Sequence, residues 1–239
     1  MVKINYTSPT VTKSSSTKTK ADKAPDTSTR RIRKLRRFTN LAAAIHLLQT
    51  RKITLLNPAS WDDKNDAHFM AEYKRLRRMQ TVLAICFASP QETYHHWRVF
   101  SNGADGICIS FDRRRLLDAF KKQPGMTMGK MRYEYVETVA AWPELKVAQL
   151  PFLKRKPYEA ENEYRVIYEG ADELMEFFDV DIDLGWITAI TLSPWMPPAF
   201  LTAVKTTLRA IPGCANIDIV RSTLVGRESW QSLTARAAD

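Results

Sequence analysis

The run TVLAICFAS, residues 81–89, constrains the fold more than any other stretch of this chain. It is far too short to span a bilayer, which takes roughly 18 apolar residues. Continuous apolar character over so short a run belongs to a strand covered on both faces. The chain must therefore build a sheet around it. ADGICISFD, 104–112, alternates well enough to be a second central strand. ITLL (53–56), MRYEYVETV (131–139), WITAITLSP (186–194) and IDIVRST (217–223) read as further strands.

Helical spacing lies between them. In NLAAAIHLLQTRK, Asn40 is placed to cap a helix carrying Leu41, Ala44, Ile45 and Leu48 on one side. NPASWDDKNDAHF is a loop that leads into a helix capped by Ser60 or Asp62. ETYHHWRVFSN reads as helical. RRRLLDAFKK is a short amphipathic helix stopped by Pro124–Gly125, and PPAFLTAVKTTLRAI starts on prolines. Strands and helices mix without regular alternation, so the expected class is α+β. The expectation is a single domain with a mixed, mostly antiparallel central sheet flanked by helices. At 239 residues the chain suffices for one such domain.

The formal net charge of +10 is not spread over that domain. Residues 1–37 carry eleven Lys or Arg and two Asp, a balance of +9, which leaves about +1 for the other 202. Residues 7–29 are Ser-, Thr- and Lys-rich, and the composition predicts a disordered basic arm over 1–34 ahead of a domain over 35–239. RRIRKLRR, 30–37, ends that arm. Such an arm can hold nucleic-acid phosphates with little sequence preference, or it can be a solubilising extension. No apolar h-region stands at the N-terminus, and three widely spaced cysteines suit a reducing compartment. The expected setting is the cytoplasm, with no membrane association.

KPYEAENEYRVIY, 156–168, sets Glu161, Glu163 and Arg165 at alternate positions. On one strand all three would leave the same face, as a solvated edge, a structural ion-pair brace or the floor of a site. Asp66 is expected to pair with a basic residue such as Arg165 or Lys156, and Asp62 to cap the following helix. His95 and His96 are adjacent, so on a helix they point about 100° apart and do not share a metal. No Cys or His stands at zinc spacing, and no glycine-rich phosphate loop or nucleophile elbow is present. No metal is expected. Trp97, Phe100 and Phe111 read first as core residues.

Three segments carry a resemblance. They are LAAAIHLLQTRKITLLNPASWDDKND with Asn57, Pro58, Trp61, Asp62 and Asp66; HHWRVFSNGADGICISFD with Trp97, Phe100, Gly106 and Phe111; and KPYEAENEYRVIY with Lys156, Tyr158, Glu161, Glu163, Tyr164 and Arg165. In that order they resemble the bacterial domain of unknown function 2971 family. The chain departs from it at Phe100–Ser101, where tyrosine is common. The opening helix and late glutamate are more loosely similar to ADP-ribosyltransferase toxins. That resemblance implies an NAD-consuming transferase, as a toxin or anti-phage effector acting on a macromolecular acceptor. It would make Glu163 the stabiliser of the transition state and Glu161 the group that orients the acceptor. Arg37, Lys156, Arg165 and Trp97 would then hold NAD. The competing readings are a nucleic-acid-associated module whose charge cluster is structural, and a nuclease using Asp62, Asp66 and Glu163 around a divalent ion.

Overall fold

The computed structural model describes residues 34–89, 91–101 and 103–237. In chain order the first half holds β1 (Lys34–Asn40), α1 (Leu41–Thr50), β2 (Lys52–Leu56), α2 (Lys64–Leu76), β3 (Thr81–Ala88), α3 (Tyr94–Phe100), β4 (Gly106–Asp112) and α4 (Arg113–Lys121). The second half holds β5 (Met126–Lys130), β6 (Arg132–Glu134), α5 (Val136–Ala140), β7 (Leu153–Arg155), β8 (Glu163–Gly170), β9 (Phe177–Asp181), β10 (Ile187–Leu192), α6 (Pro198–Ala210), β11 (Ile219–Arg221) and α7 (Glu228–Gln231). The architecture is α+β. A nine-stranded sheet, antiparallel except for the β10–β11 pair, is flanked by helices. β6 and β7 form a small parallel sheet of their own. No helix among the described residues is long and apolar enough to cross a membrane.

The apolar run becomes β3, whose residues are almost all buried, as continuous hydrophobicity requires. Along one edge it pairs with β8, in register from Thr81–Gly170 to Ala88–Glu163. Its other edge is shared. β2 meets it at Leu56–Ala84, and β1 meets it at Arg36–Ala88. Beyond those contacts the two strands follow other partners, β2 pairing with β9 and β1 with β4 along its whole length. The sheet is therefore split beside Cys86, between the points where β2 and β1 touch β3.

Both faces are packed. Ile53, Ile85, Ile107, Ile109, Phe111 and Ile190 join Ala44 and Leu48 of α1, Leu116 and Phe120 of α4 and Leu208 of α6 in the main core. On the opposite face, Val82, Ala84 and Ile167 pack against Met70 and Tyr73 of α2, while Phe38, Ala88 and Cys108 pack against Trp97 of α3. Local chemistry sets the helix starts. Asn40 caps α1, its side chain accepting from Ala43 N at 2.9 Å. Thr93 caps α3 in a box with His96.

Several expectations need correction. Lys34–Arg37 are not the end of an arm but the first strand of the domain, made so by full-length pairing with β4. The arm itself, residues 1–33, lies outside the described residues. MRYEYVETV is not one strand: β6 ends at Glu134 and α5 follows, while the strand before it is MTMGK. α2 is capped by Asp63, which accepts from Asn65 N at 3.0 Å, rather than by Ser60 or Asp62. Residues 156–161 are a 3-10 helix, not strand. Asn162 turns the chain at φ 43°, and β8 begins only at Glu163.

Candidate functional site

The three charged residues of 161–165 do meet, by two different routes. Glu163 and Arg165 leave the same face of β8 as neighbours two apart on a strand. Glu161 arrives from the 3-10 helix. The turn between them is fixed by Asn162, whose left-handed conformation suits a short polar side chain. Its carbonyl accepts from Ser89 N, and its side-chain amide donates to Ser89 O. All three charged side chains are at most 3 % exposed.

Arg165 is the centre of the cluster. Its Nη1 and Nη2 donate to the two oxygens of Asp66 at 2.8 and 2.6 Å, its Nε donates to Glu163 Oε1 at 2.7 Å, and Nη1 also reaches the carbonyl of Pro151 at 2.9 Å. The Trp61 ring covers the guanidinium at 4.6 Å. Lys154, on β7, adds a second buried cation. Its Nζ lies 2.6 Å from Glu161 Oε2, 3.4 Å from Asp66 Oδ2 and 3.5 Å from Glu163 Oε2. Glu161 Oε1 reaches His95 Nε2 at 3.2 Å. Behind it, His96 Nδ1 accepts from Thr93 N, so its Nε2 carries the proton and donates to Glu161 O at 2.9 Å. Burial holds the His96 pKa down, and its ring stacks on Phe38.

The two glutamates differ in charge state. Burial raises the Glu163 carboxyl, but Arg165 and Lys154 overcome that and hold it at about 2. Glu161 goes the other way: burial raises its pKa, and Lys154 and the His95 hydrogen bond offset only part of the rise. One carboxylate is a fixed anion and its neighbour is a group able to take a proton, a division typical of paired carboxylates with separate tasks. The surrounding carboxylates in turn hold the Lys154 pKa up against its own burial. Burial and the Glu163 charge raise the Cys86 thiol, so it is no nucleophile.

This cluster is the floor of a cleft of about 470 Å³, walled by Trp61, Tyr158, Phe100 and Val99 and lined also by Asp62, His95 and Arg37. Arg37 reaches it through the split in the sheet. Its register partner Ile109 puts it on the α1 face, yet its Nη1 donates to the carbonyl of Cys86 at 3.3 Å, filling the gap that β1 and β2 leave along β3. Among the described residues, no carboxylate lies within 4.0 Å of Arg37 as a salt-bridge partner. Burial lowers its pKa, as expected of a cation so placed.

Of the residues singled out from sequence, Glu161, Glu163, Arg165 and Arg37 line the cleft together. Arg165 does so as a brace, because its donors are taken by Asp66, Glu163 and Pro151. Two do not belong. Trp97, on α3, is fully buried against the sheet, donating from Nε1 to Glu92 at 2.8 Å and standing edge-on to Phe38. Lys156 pairs with Glu159 at 2.8 Å on the surface, and the lysine in the cleft is Lys154. Asp66 pairs with Arg165 as its charge suggested. Sequence reasoning missed Lys154 and the His95–Glu161 contact. The signal available for Lys154 was the strand-like LKR triplet, too short to stand out. Among the described residues no group of three His, Cys, Asp or Glu is placed to hold a metal ion. A divalent ion between Asp66 and Glu163 would meet the guanidinium of Arg165 and the ammonium of Lys154, which argues against the nuclease reading.

No protein-family model matches the chain, and a search of curated proteins returns no match either.

Proposed function

We propose that the cleft cleaves the bond between nicotinamide and ribose in NAD and passes the ADP-ribosyl group to an acceptor. One observation carries this reading: two buried carboxylates, Glu163 braced by Arg165 and Glu161 in contact with His95, share one cleft floor with Arg37, a cation with no carboxylate within 4.0 Å among the described residues. As the C1′–N bond breaks, nicotinamide leaves with the bonding pair, which neutralises its own pyridinium charge. No general acid is needed. The positive charge left on the ribose is stabilised by Glu163, whose Oε1 is taken by Arg165 Nε at 2.7 Å while Oε2 keeps a longer 3.5 Å contact to Lys154. The acceptor then attacks C1′ and gives its proton to Glu161. His95, its side chain 37 % exposed, connects that carboxylate to solvent. Arg37 holds the pyrophosphate.

The three free cysteines support a reducing, cytoplasmic setting for this enzyme. A role as a toxin or phage-defence effector, as the family resemblance implies, follows if the acceptor is an essential macromolecule. The nucleic-acid reading rests on residues 1–34, nearly all of which lie outside the described part of the chain. Incubating the protein with labelled NAD and cell extract tests the proposal. Label should transfer to protein or nucleic acid with the native chain and not with Glu163→Gln. Intact NAD with both would refute it.

A further inference from the structure

A second cavity, of about 520 Å³, lies on the opposite face of the sheet beneath α1. Its walls are apolar: Leu47, Ile53, Ile85 and Ile109 are each at most 6 % exposed and belong to the main core. At its rim Leu56 and Phe177 are each about half exposed, an arrangement that leaves apolar surface in water unless something covers it. The volume falls within the range of pockets for small organic ligands, roughly 300–1,000 Å³.

The polar groups are few and mostly of one sign. Arg37 stands on the sheet beside Ile109, with a single contact to the Cys86 carbonyl at 3.3 Å. Lys52 and His46 also line the cavity, and Lys52 has only a 3.9 Å partner in Asp181. The one acidic side chain in the lining, Asp179, accepts from Thr54 Oγ1 at 2.6 Å. An apolar chamber with a half-buried guanidinium is complementary to a molecule with an apolar body and one anionic head.

We propose that this cavity is a binding site for an amphiphilic anion, an alkyl or aryl carboxylate or phosphate whose head group meets Arg37. Arg37 also lines the cleft on the other face, so an anion bound here and NAD bound there would compete for one guanidinium, and the test reads binding in the absence of NAD.

Isothermal titration of the full chain with decanoate, decyl phosphate and decanol separates the possibilities. Both anions, or one of them, should bind roughly ten- to a hundred-fold tighter than decanol, the range expected for a charge-assisted hydrogen bond in a partly dry site. The tighter of the two identifies the head group. Ala43→Trp, at an exposed position of α1 that lines the cavity, should fill the chamber and abolish binding while leaving the fold intact. Arg37→Met should reduce the anions to the level of decanol. Binding of both anions no tighter than decanol, unchanged binding in Ala43→Trp, or no binding of either anion below millimolar concentration would overturn the assignment.

Discussion

Arg165 donates from both terminal nitrogens to both oxygens of Asp66, across 99 residues of sequence and with both side chains out of water. The pair ties α2 to β8 and fixes the floor of the cleft. Breaking it from one side leaves a buried charge uncompensated, a loss on the order of 3–5 kcal/mol. Asp66→Asn should therefore lower unfolding free energy by that order in urea titration. The double change Asp66→Asn with Arg165→Met removes one charge of each sign and should be less destabilised than the two single changes added together. A double variant as unstable as the sum of the singles would show that the pair has no coupling.

Glu161 sets the expected pH dependence of turnover. Its pKa is raised by burial, so the group becomes a base only above the usual glutamate range. NAD consumption should rise with pH along a limb displaced upward from that range. In Glu161→Gln the limb should vanish and the rate fall, roughly 100-fold for loss of a general base. A limb unchanged in that variant would assign the proton transfer elsewhere.

The sheet was legible where pattern and burial agree. The apolar run of β3, the alternation of β4 and the Asn40 cap all formed as their chemistry requires. The pairing of Asp66 with Arg165 was legible too, as a demand for a partner. What the pattern hid was geometry set by distant contacts. Arg36 and Arg37 look like the end of a basic arm, and only pairing with β4 makes them strand. Glu161 looks like the next strand position before Glu163, but Lys154 and Ser89 draw its segment into a 3-10 helix. Lys154 and Lys156 are indistinguishable by composition, and which one is buried depends on the short parallel pairing of β6 with β7. Trp97 is as apolar as a ligand platform would be, and its placement behind Phe38 comes from the packing of α3.

Glu163 makes stability depend on acid. Its folded pKa of about 2 lies below the ordinary 4.5, so the ionised form stabilises the fold at pH above 4.5. That contribution, on the order of 3 kcal/mol, is lost as pH falls from 4.5 towards 2. Glu161 acts in a different window: its raised pKa means that protonation relieves a cost of burial as pH falls towards 4.5, and below 4.5 it adds no further pH dependence. Unfolding free energy of the native chain should therefore fall between pH 4.5 and 2. Glu163→Gln, though less stable at neutral pH, should fall less steeply. Parallel slopes would contradict the assignment of the fixed charge to Glu163.

Asn162 positions Glu161 without lining the cleft. Its φ of 43° and its two contacts with Ser89 hold the turn from the 3-10 helix into β8. Asn162→Val puts a β-branched side chain into the left-handed region, a cost of about 1–3 kcal/mol. Asn162→Gly should keep the turn with little loss of stability. Turnover should fall in the valine variant and be mostly retained in the glycine variant, with NAD affinity little changed in either. Equal rates in all three proteins would separate the turn from the position of Glu161.

The rate of nicotinamide release from NAD, measured for the native chain and for Glu163→Gln after both are shown to be folded by circular dichroism, bears most directly on the central claim. The expected result is steady release by the native chain and a fall of roughly 100- to 1,000-fold in Glu163→Gln, the scale seen when one group stabilising a developing charge is removed. A folded native chain that releases no nicotinamide, or a Glu163→Gln variant that releases it at the native rate, would contradict the assignment of this cleft to NAD cleavage.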